Sequence, residues 1–202
     1  MTLTHLASLP RIYFIRHGET AWSLSGRHTG RTDIPLTAHG EDEVRKLADW
    51  VARVSFARVF SSPRQRATRT CELVGLVDVA EIEPDLAEWN YGDYEGKRSA
   101  EIREVRPDWN IFRDGCPNGE SLLQVTERAD RLIARLRSLD GDIALFSHAH
   151  FGRVLAARWI GLQVIHAQRL LLKTASLSVL SYEHSRADEP AIVVWNATPT
   201  GL

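Results

Sequence analysis

Cysteine is nearly absent from this chain, which has only Cys71 and Cys116. Two thiols cannot build a disulfide framework or a four-ligand zinc site. A reducing, cytoplasmic setting with structural roles for both is the simplest expectation. An excess of charge is lacking too. The 25 Lys and Arg nearly balance the 26 Asp and Glu, leaving a formal net charge of -1. Without a basic surplus there is no electrostatic footprint for nucleic acid or an anionic membrane, and neither is expected as a partner. No stretch approaches ~18 consecutive apolar residues, so no bilayer span is expected. The opening MTLTHLASLPR lacks the basic region and long apolar run of a secretory signal. No repeat, low-complexity tract or linker divides the chain.

What is present is ordinary for a folded protein, 44% hydrophobic and 25% charged residues in 202. One domain spanning 1–202 fits that length and can bury roughly 70% of its unfolded surface. Short apolar runs at Arg11 to Arg16, Ala57 to Ser61, Val77 to Ile82 and Asp142 to Ser147 read as strands. Helical periodicity falls between them: from the Thr37 cap to Val54, from Pro63 to Leu73, from Ser121 through Leu136, and from about Phe151 to Ile160. A short helix is expected at Ser99 to Val105 within an otherwise irregular stretch, and β-like runs at Ser176 to Tyr182 and Ala191 to Trp195 finish the chain. Alternation of this kind predicts an α/β fold, a doubly wound, mostly parallel sheet with helices on both faces. Ligands of such sheets bind beyond the carboxyl ends of the strands. Arg16-His17-Gly18, Ser61-Ser62-Pro63-Arg64 and His148 follow three of those ends, so the topology predicts their convergence.

Arg16-His17-Gly18-Glu19-Thr20 carries the clearest chemistry. A neutral imidazole is a competent nucleophile near neutral pH, and an adjacent guanidinium matches the oxygens of a phosphoryl group. Gly18 would let backbone approach the site closely. A lone His at a strand end would be read as packing, but the tripeptide directly after a buried strand is far more specific. No Asp/Glu/His cluster with metal-ligand spacing and no P-loop pattern is present, so neither a metal nor another cofactor is expected.

The segments RHGETAW, TGRTDIPLT, SSPRQRATRT, LAEWNYGDYEG, CPNGES and FSHAHFGR together resemble the histidine phosphatase superfamily, the phosphoglycerate-mutase-like proteins, across essentially the whole chain. The resemblance implies a three-layer sandwich and a phosphohistidine at His17. It makes Arg16 and Arg66 the phosphate-binding arginines, His148 the second histidine of the phosphate pocket and Glu88 the acid/base carboxylate. Thr29 and Gly30 match a loop that touches substrate in relatives, with a plain turn as the equal alternative. Where mutases usually carry Asn after Trp, Trp22 is followed by Ser23. Where relatives often have Gly-Gly or Gly-His after the second histidine, His148 is followed by Ala149-His150. Ser23 and Ala149 are therefore expected at the substrate. These departures, and the short segment after His184, resemble the phosphatase branch that includes acid phosphatases and sugar bisphosphatases.

The expectation is thus a metal-independent phosphomonoesterase acting on a small phosphorylated metabolite. A cofactor-primed phosphoglycerate mutase is the alternative, and a non-catalytic phospholigand-binding module the reading from another class. A homodimer is left open. Arg27, His28, Arg31, Lys97 and Arg98 are candidates for a second anion site, with surface solvation preferred for most. The same surface role is preferred for Arg64 and Arg69. Trp22, Trp89, Tyr91 and Tyr94 are read as pocket wall or core. Glu120 is read as lying near the pocket or capping the next helix. Nearby arginines should depress the pKa of His17, and Glu88 must be protonated for the first step, so an acidic optimum is expected.

Overall fold

The computed structural model describes residues 9–199; His5 and most of the leader reading lie outside them. Six strands form one sheet: β1 (Arg11–Arg16), β2 (Phe56–Ser61), β3 (Ala80–Ile82), β4 (Asp142–Ser147), β5 (Leu177–Tyr182) and β6 (Pro190–Ala197). Their spatial order is β3-β2-β4-β1-β5-β6. The pairs β3–β2, β2–β4 and β4–β1 are parallel, while β5 and β6 add antiparallel pairings at one side. The sheet is mostly parallel, as the alternating pattern implies.

The eight α-helices among the described residues are α1 (Ala21–Ser25), α2 (Ala38–Arg45), α3 (Ala48–Val51), α4 (Gln65–Leu73), α5 (Ser99–Val105), α6 (Ile111–Asp114), α7 (Leu122–Arg137) and α8 (Ala149–Trp159). Successive residues of a strand point to opposite faces, so each central strand feeds two cores. Phe14, Ile143 and Leu145 pack with residues of α5 to α8, including Ile102, Phe112, Leu132 and Leu155. Ile15, Ala144 and Phe146 pack with Val44, Leu47, Val51, Ala67 and Cys71 of the α2 to α4 region. Both faces of the sheet are thereby covered, and the middle of β4, Ile143 to Phe146, is apolar on both sides.

Several boundaries differ from the periodicity reading. The helix expected from Thr37 to Val54 is broken between α2 and α3. Leu47 N donates to Val44 O, a tighter three-residue step, yet Val44, Leu47 and Val51 all stay buried. Pro63 does not open α4: Arg64 is the extended cap, and Gln65 N donates instead to Asp33 Oδ1 at 2.9 Å. Val77–Val79 is a 3₁₀ turn, leaving β3 three residues long. The loop after His17 contains α1, closed by a capping box between Thr20 and Ser23. Helix α8 begins at Ala149, two residues earlier than read, with His148 as its cap.

Candidate active site

The register of the sheet sets Arg16 opposite Ser147 and Ser61 opposite Phe146. The residues that leave β1, β2 and β4, namely His17, Ser62 and His148, therefore emerge side by side. His17 N donates to Ser147 O at 3.1 Å, and Ser62 N to Phe146 O at 2.9 Å. Gly18 is required by packing. A Cβ there would lie 2.5 Å from Gly40 O and 2.8 Å from Val44 Cγ2, so α2 could not sit against the His17 loop.

The protonation pattern of both histidines follows from their partners. His17 Nδ1 lies 2.7 Å from Gly18 O. A carbonyl only accepts, so Nδ1 carries the hydrogen and Nε2 keeps its lone pair. Burial first, then the charges of Arg16 and Arg66, lower the pKa of His17 well below the ordinary imidazole value. The ring is neutral and only 5% exposed. His148 lies edge-on, with ring centroids 5.2 Å apart. Its Nδ1 accepts from Arg66 Nε at 3.1 Å, leaving Nε2 to donate to Ser62 Oγ at 2.7 Å. Burial and Arg66 lower its pKa as well.

The arginines divide in role. Arg66 is fully buried, with Nη2 donating to Thr29 O and Gly30 O and Nη1 to Thr32 O. It clamps the 29–32 loop and holds His148 from behind. Arg16 donates from Nη1 to Leu172 O, while its Nε is buried with no partner among the described residues. A buried guanidinium N–H without an acceptor is costly unless an anion completes it. Glu88 accepts from Trp89 N (2.9 Å) and Phe151 N (2.8 Å) at Oε1, and from His150 N (3.0 Å) at Oε2. The first turn of α8 thus fixes the carboxylate, a placement the positive end of a helix favours.

These groups open on a cavity of about 390 Å³ whose walls include Arg16, His17, Glu88 and Ala149. A neutral imidazole with a free lone pair, an arginine with an unfilled donor and a positioned carboxylate can together take up a phosphoryl group. The family model described as histidine phosphatase superfamily (branch 1) matches residues 12–198. The chain belongs to that superfamily. It is similar to an acid phosphatase of Mycobacterium tuberculosis, 40% identical over 178 residues that cover 86% of this chain and 87% of the relative. It is also similar to a sedoheptulose 1,7-bisphosphatase of Saccharomyces cerevisiae, 35% identical over 247 residues and covering 91% of each. The solved structure of an open-reading-frame product of Mycobacterium tuberculosis superposes with a TM-score of 0.87 at 38% identity, covering 94% of this chain and 98% of that one.

In this histidine phosphatase the five residues expected to be catalytic come together, although Arg66 and His148 stand behind His17 and do not line the cavity. Ser23 and Thr29 line it. Ser23 Oγ is occupied by its capping box with Thr20, and Thr29 Oγ1 donates to Arg27 O. Gly30 does not reach the cavity. Its amide is held by Glu95 Oε1, and a Cβ would meet Trp89 O at 2.5 Å. Of the second-anion candidates, Arg27 and His28 line the cavity, whereas Lys97 lies over the Tyr94 ring and Arg98 pairs with Glu101. Arg31 faces a neighbouring groove that it shares with Arg64. Arg69 is tied to Glu41 and Glu72. Trp89 and Tyr94 are core, and Glu120 neither caps α7 nor lines the cavity, pairing instead with Arg128 at 2.7 Å. The cap of α7 is a box of Ser121 with Gln124.

Sequence reasoning passed over Ser62 as the partner of His148, and passed over Arg153 and Lys173 in the wall. Arg153 sits five residues past His148, one turn into the helix that follows a loaded strand end, and that position was the available signal. Lys173 carried none. It is held there by Asn196 Oδ1, which accepts its amide at 2.6 Å from a strand remote in sequence.

Proposed function

We propose that this histidine phosphatase hydrolyses the monoester of a small phosphorylated metabolite through a phosphohistidine on His17, without a metal ion. The single observation that carries the reading is His17 itself, its Nδ1 hydrogen fixed on Gly18 O and its Nε2 lone pair directed away from that bond. Nε2 attacks phosphorus, an N–P bond forms and the P–O ester bond breaks, with Glu88 giving its proton to the departing alkoxide. Water then attacks phosphorus, Glu88 takes the water's proton, the N–P bond breaks and phosphate leaves. Arg16 binds the equatorial oxygens through its unfilled donor. Arg66 contributes charge behind the ring and positions His148.

Positive charge from guanidinium groups takes the place that Mg²⁺ occupies in other phosphoryl transfers, which is why metal independence belongs to the proposal. The phosphatase names of the two relatives described favour water over a second hydroxyl as the attacker of phospho-His17. Cytoplasmic residence is likewise our reading, on the two buried thiols Cys71 and Cys116, neither of them in a disulfide. Wild type and His17→Ala should be assayed for phosphate release from an aryl phosphate, with and without EDTA. Turnover that survives chelation and vanishes in the variant is expected. Full activity of His17→Ala would end the covalent reading.

A further inference from the structure

The cavity has an end that the phosphoryl chemistry does not use. Three aromatic side chains meet there: His28 from the loop after α1, Tyr91 from the segment after Glu88, and His150 from the first turn of α8. The Tyr91 hydroxyl lies 2.7 Å from His150 Nδ1. The His28 ring stacks on Tyr91 with centroids 4.7 Å and planes 28° apart. Trp109 meets His28 edge-on at 5.6 Å, and Phe112 backs His150 at 5.3 Å. Tyr91 and His28 are 2% and 6% exposed, so this packing fixes the Tyr91 ring. His150 is half-buried and lines the cavity. Its Nδ1 is taken by Tyr91 and its amide by Glu88 Oε2, while Nε2 has no partner among the described residues.

This wall is uncharged. Burial lowers His28 to about 4 and holds His150 well below the ordinary imidazole value, and burial raises the Tyr91 hydroxyl. A neutral imidazole bound at one nitrogen to a phenol can present either polarity at the other. If Tyr91 donates to Nδ1, Nε2 carries the hydrogen; if the ring donates to Tyr91, Nε2 accepts. An alcohol hydroxyl, itself donor and acceptor, complements both arrangements. The cations close by are partly engaged elsewhere: Arg153 donates from Nε to Ala167 O and lies over the Phe112 ring, and Arg27 donates to Gly96 O.

Resting on the phosphomonoesterase reading, we propose that His150, oriented by Tyr91, hydrogen-bonds a hydroxyl on the non-reacting part of the substrate. The enzyme thereby selects phosphorylated sugars and polyols over alkyl or aryl phosphates. His150 is the specificity-determining group and Tyr91 its positioning residue. A site built for a hydroxyl discriminates strongly against an analogue without one, because its polar group is left unpaired.

The test compares sorbitol 6-phosphate with n-hexyl phosphate, esters of equal chain length and similar leaving alcohol. Wild type, His150→Phe, His150→Gln and Tyr91→Phe are measured on both. The wild type should prefer the sorbitol ester in kcat/KM. His150→Phe should cut that preference by about tenfold, chiefly through KM for the sorbitol ester. His150→Gln, which keeps a donor and an acceptor, should retain more of it. Tyr91→Phe, which removes one oxygen atom and keeps the stacked ring, should also erode the preference and provides the comparison if a His150 variant does not fold. Equal losses on both esters, or an unchanged preference, would overturn the inference while leaving the phosphatase intact. A wild type that hydrolyses neither ester would overturn the inference, and one that also leaves an aryl phosphate intact would overturn the phosphatase reading.

Discussion

At the scale of single residues, the proposed chemistry depends on which nitrogen of His17 holds its hydrogen. Gly18 O settles that by accepting from Nδ1, and burial together with Arg16 and Arg66 keeps the ring neutral. Because the pKa is lowered, the proposed nucleophile stays available as pH falls through the ordinary imidazole range. The acid limb of the pH–rate profile should therefore lie below about pH 6.5, the unperturbed value. Arg16→Gln removes one of the lowering charges but not the burial. Its acid limb should move to higher pH, alongside a fall in kcat/KM, and a limb unmoved in that variant would contradict the assigned coupling. The pairing of His17 with Arg16 at one strand end was legible because Arg16-His17-Gly18 is contiguous. The back-to-back placement of Arg66 and His148 was not. Hydrogen bonds from Arg66 to Thr29, Gly30 and Thr32 depend on how a distant loop folds across α4.

At the scale of elements, the first turn of α8 is the part that would join the proposed catalysis to the proposed recognition. Its amides at His150 and Phe151 hold Glu88, and its side chain at His150 forms the neutral wall. Glu88→Gln keeps one acceptor oxygen, enough for the Trp89 and Phe151 amides but not for that of His150, and removes the proton carrier. Turnover of an ester with an alkoxide leaving group should fall by about 10²–10⁴, with a modest fall in melting temperature from the unpaired His150 amide. A phenolic ester with a good leaving group should lose less in the first step, and comparable losses on both esters would argue against proton delivery by Glu88. The helical pattern after β4 was plain in the sequence, but its start was misplaced because His148 caps without a side-chain bond to the helix. The break between α2 and α3 was illegible for the opposite reason. Val44, Leu47 and Val51 keep a helical apolar pattern across a tightened step, so periodicity alone does not show it.

At the scale of the whole molecule, the strand order β3-β2-β4-β1-β5-β6 collects the ends of β1, β2 and β4 at one edge of the cavity. Alternating strands and helices made that convergence predictable, whereas the antiparallel attachment of β5 and β6 is set by pairing that no local pattern encodes. The fold also holds four histidines in neutral form, the buried His17, His28 and His148 and the half-buried His150, each with its pKa lowered chiefly by desolvation. A base depressed in the folded state contributes stability above its unfolded pKa and loses it as pH falls below that value. The melting temperature should drop as pH is lowered from about 7 toward 4. A melting temperature flat across that window would mean these rings are not held neutral. The most direct test of the covalent claim is to quench the enzyme with a substrate labelled in its phosphoryl group and map the label. An alkali-stable, acid-labile adduct confined to His17, and absent from His17→Ala, is expected. Steady turnover with no label on His17, or label on another residue, would contradict it.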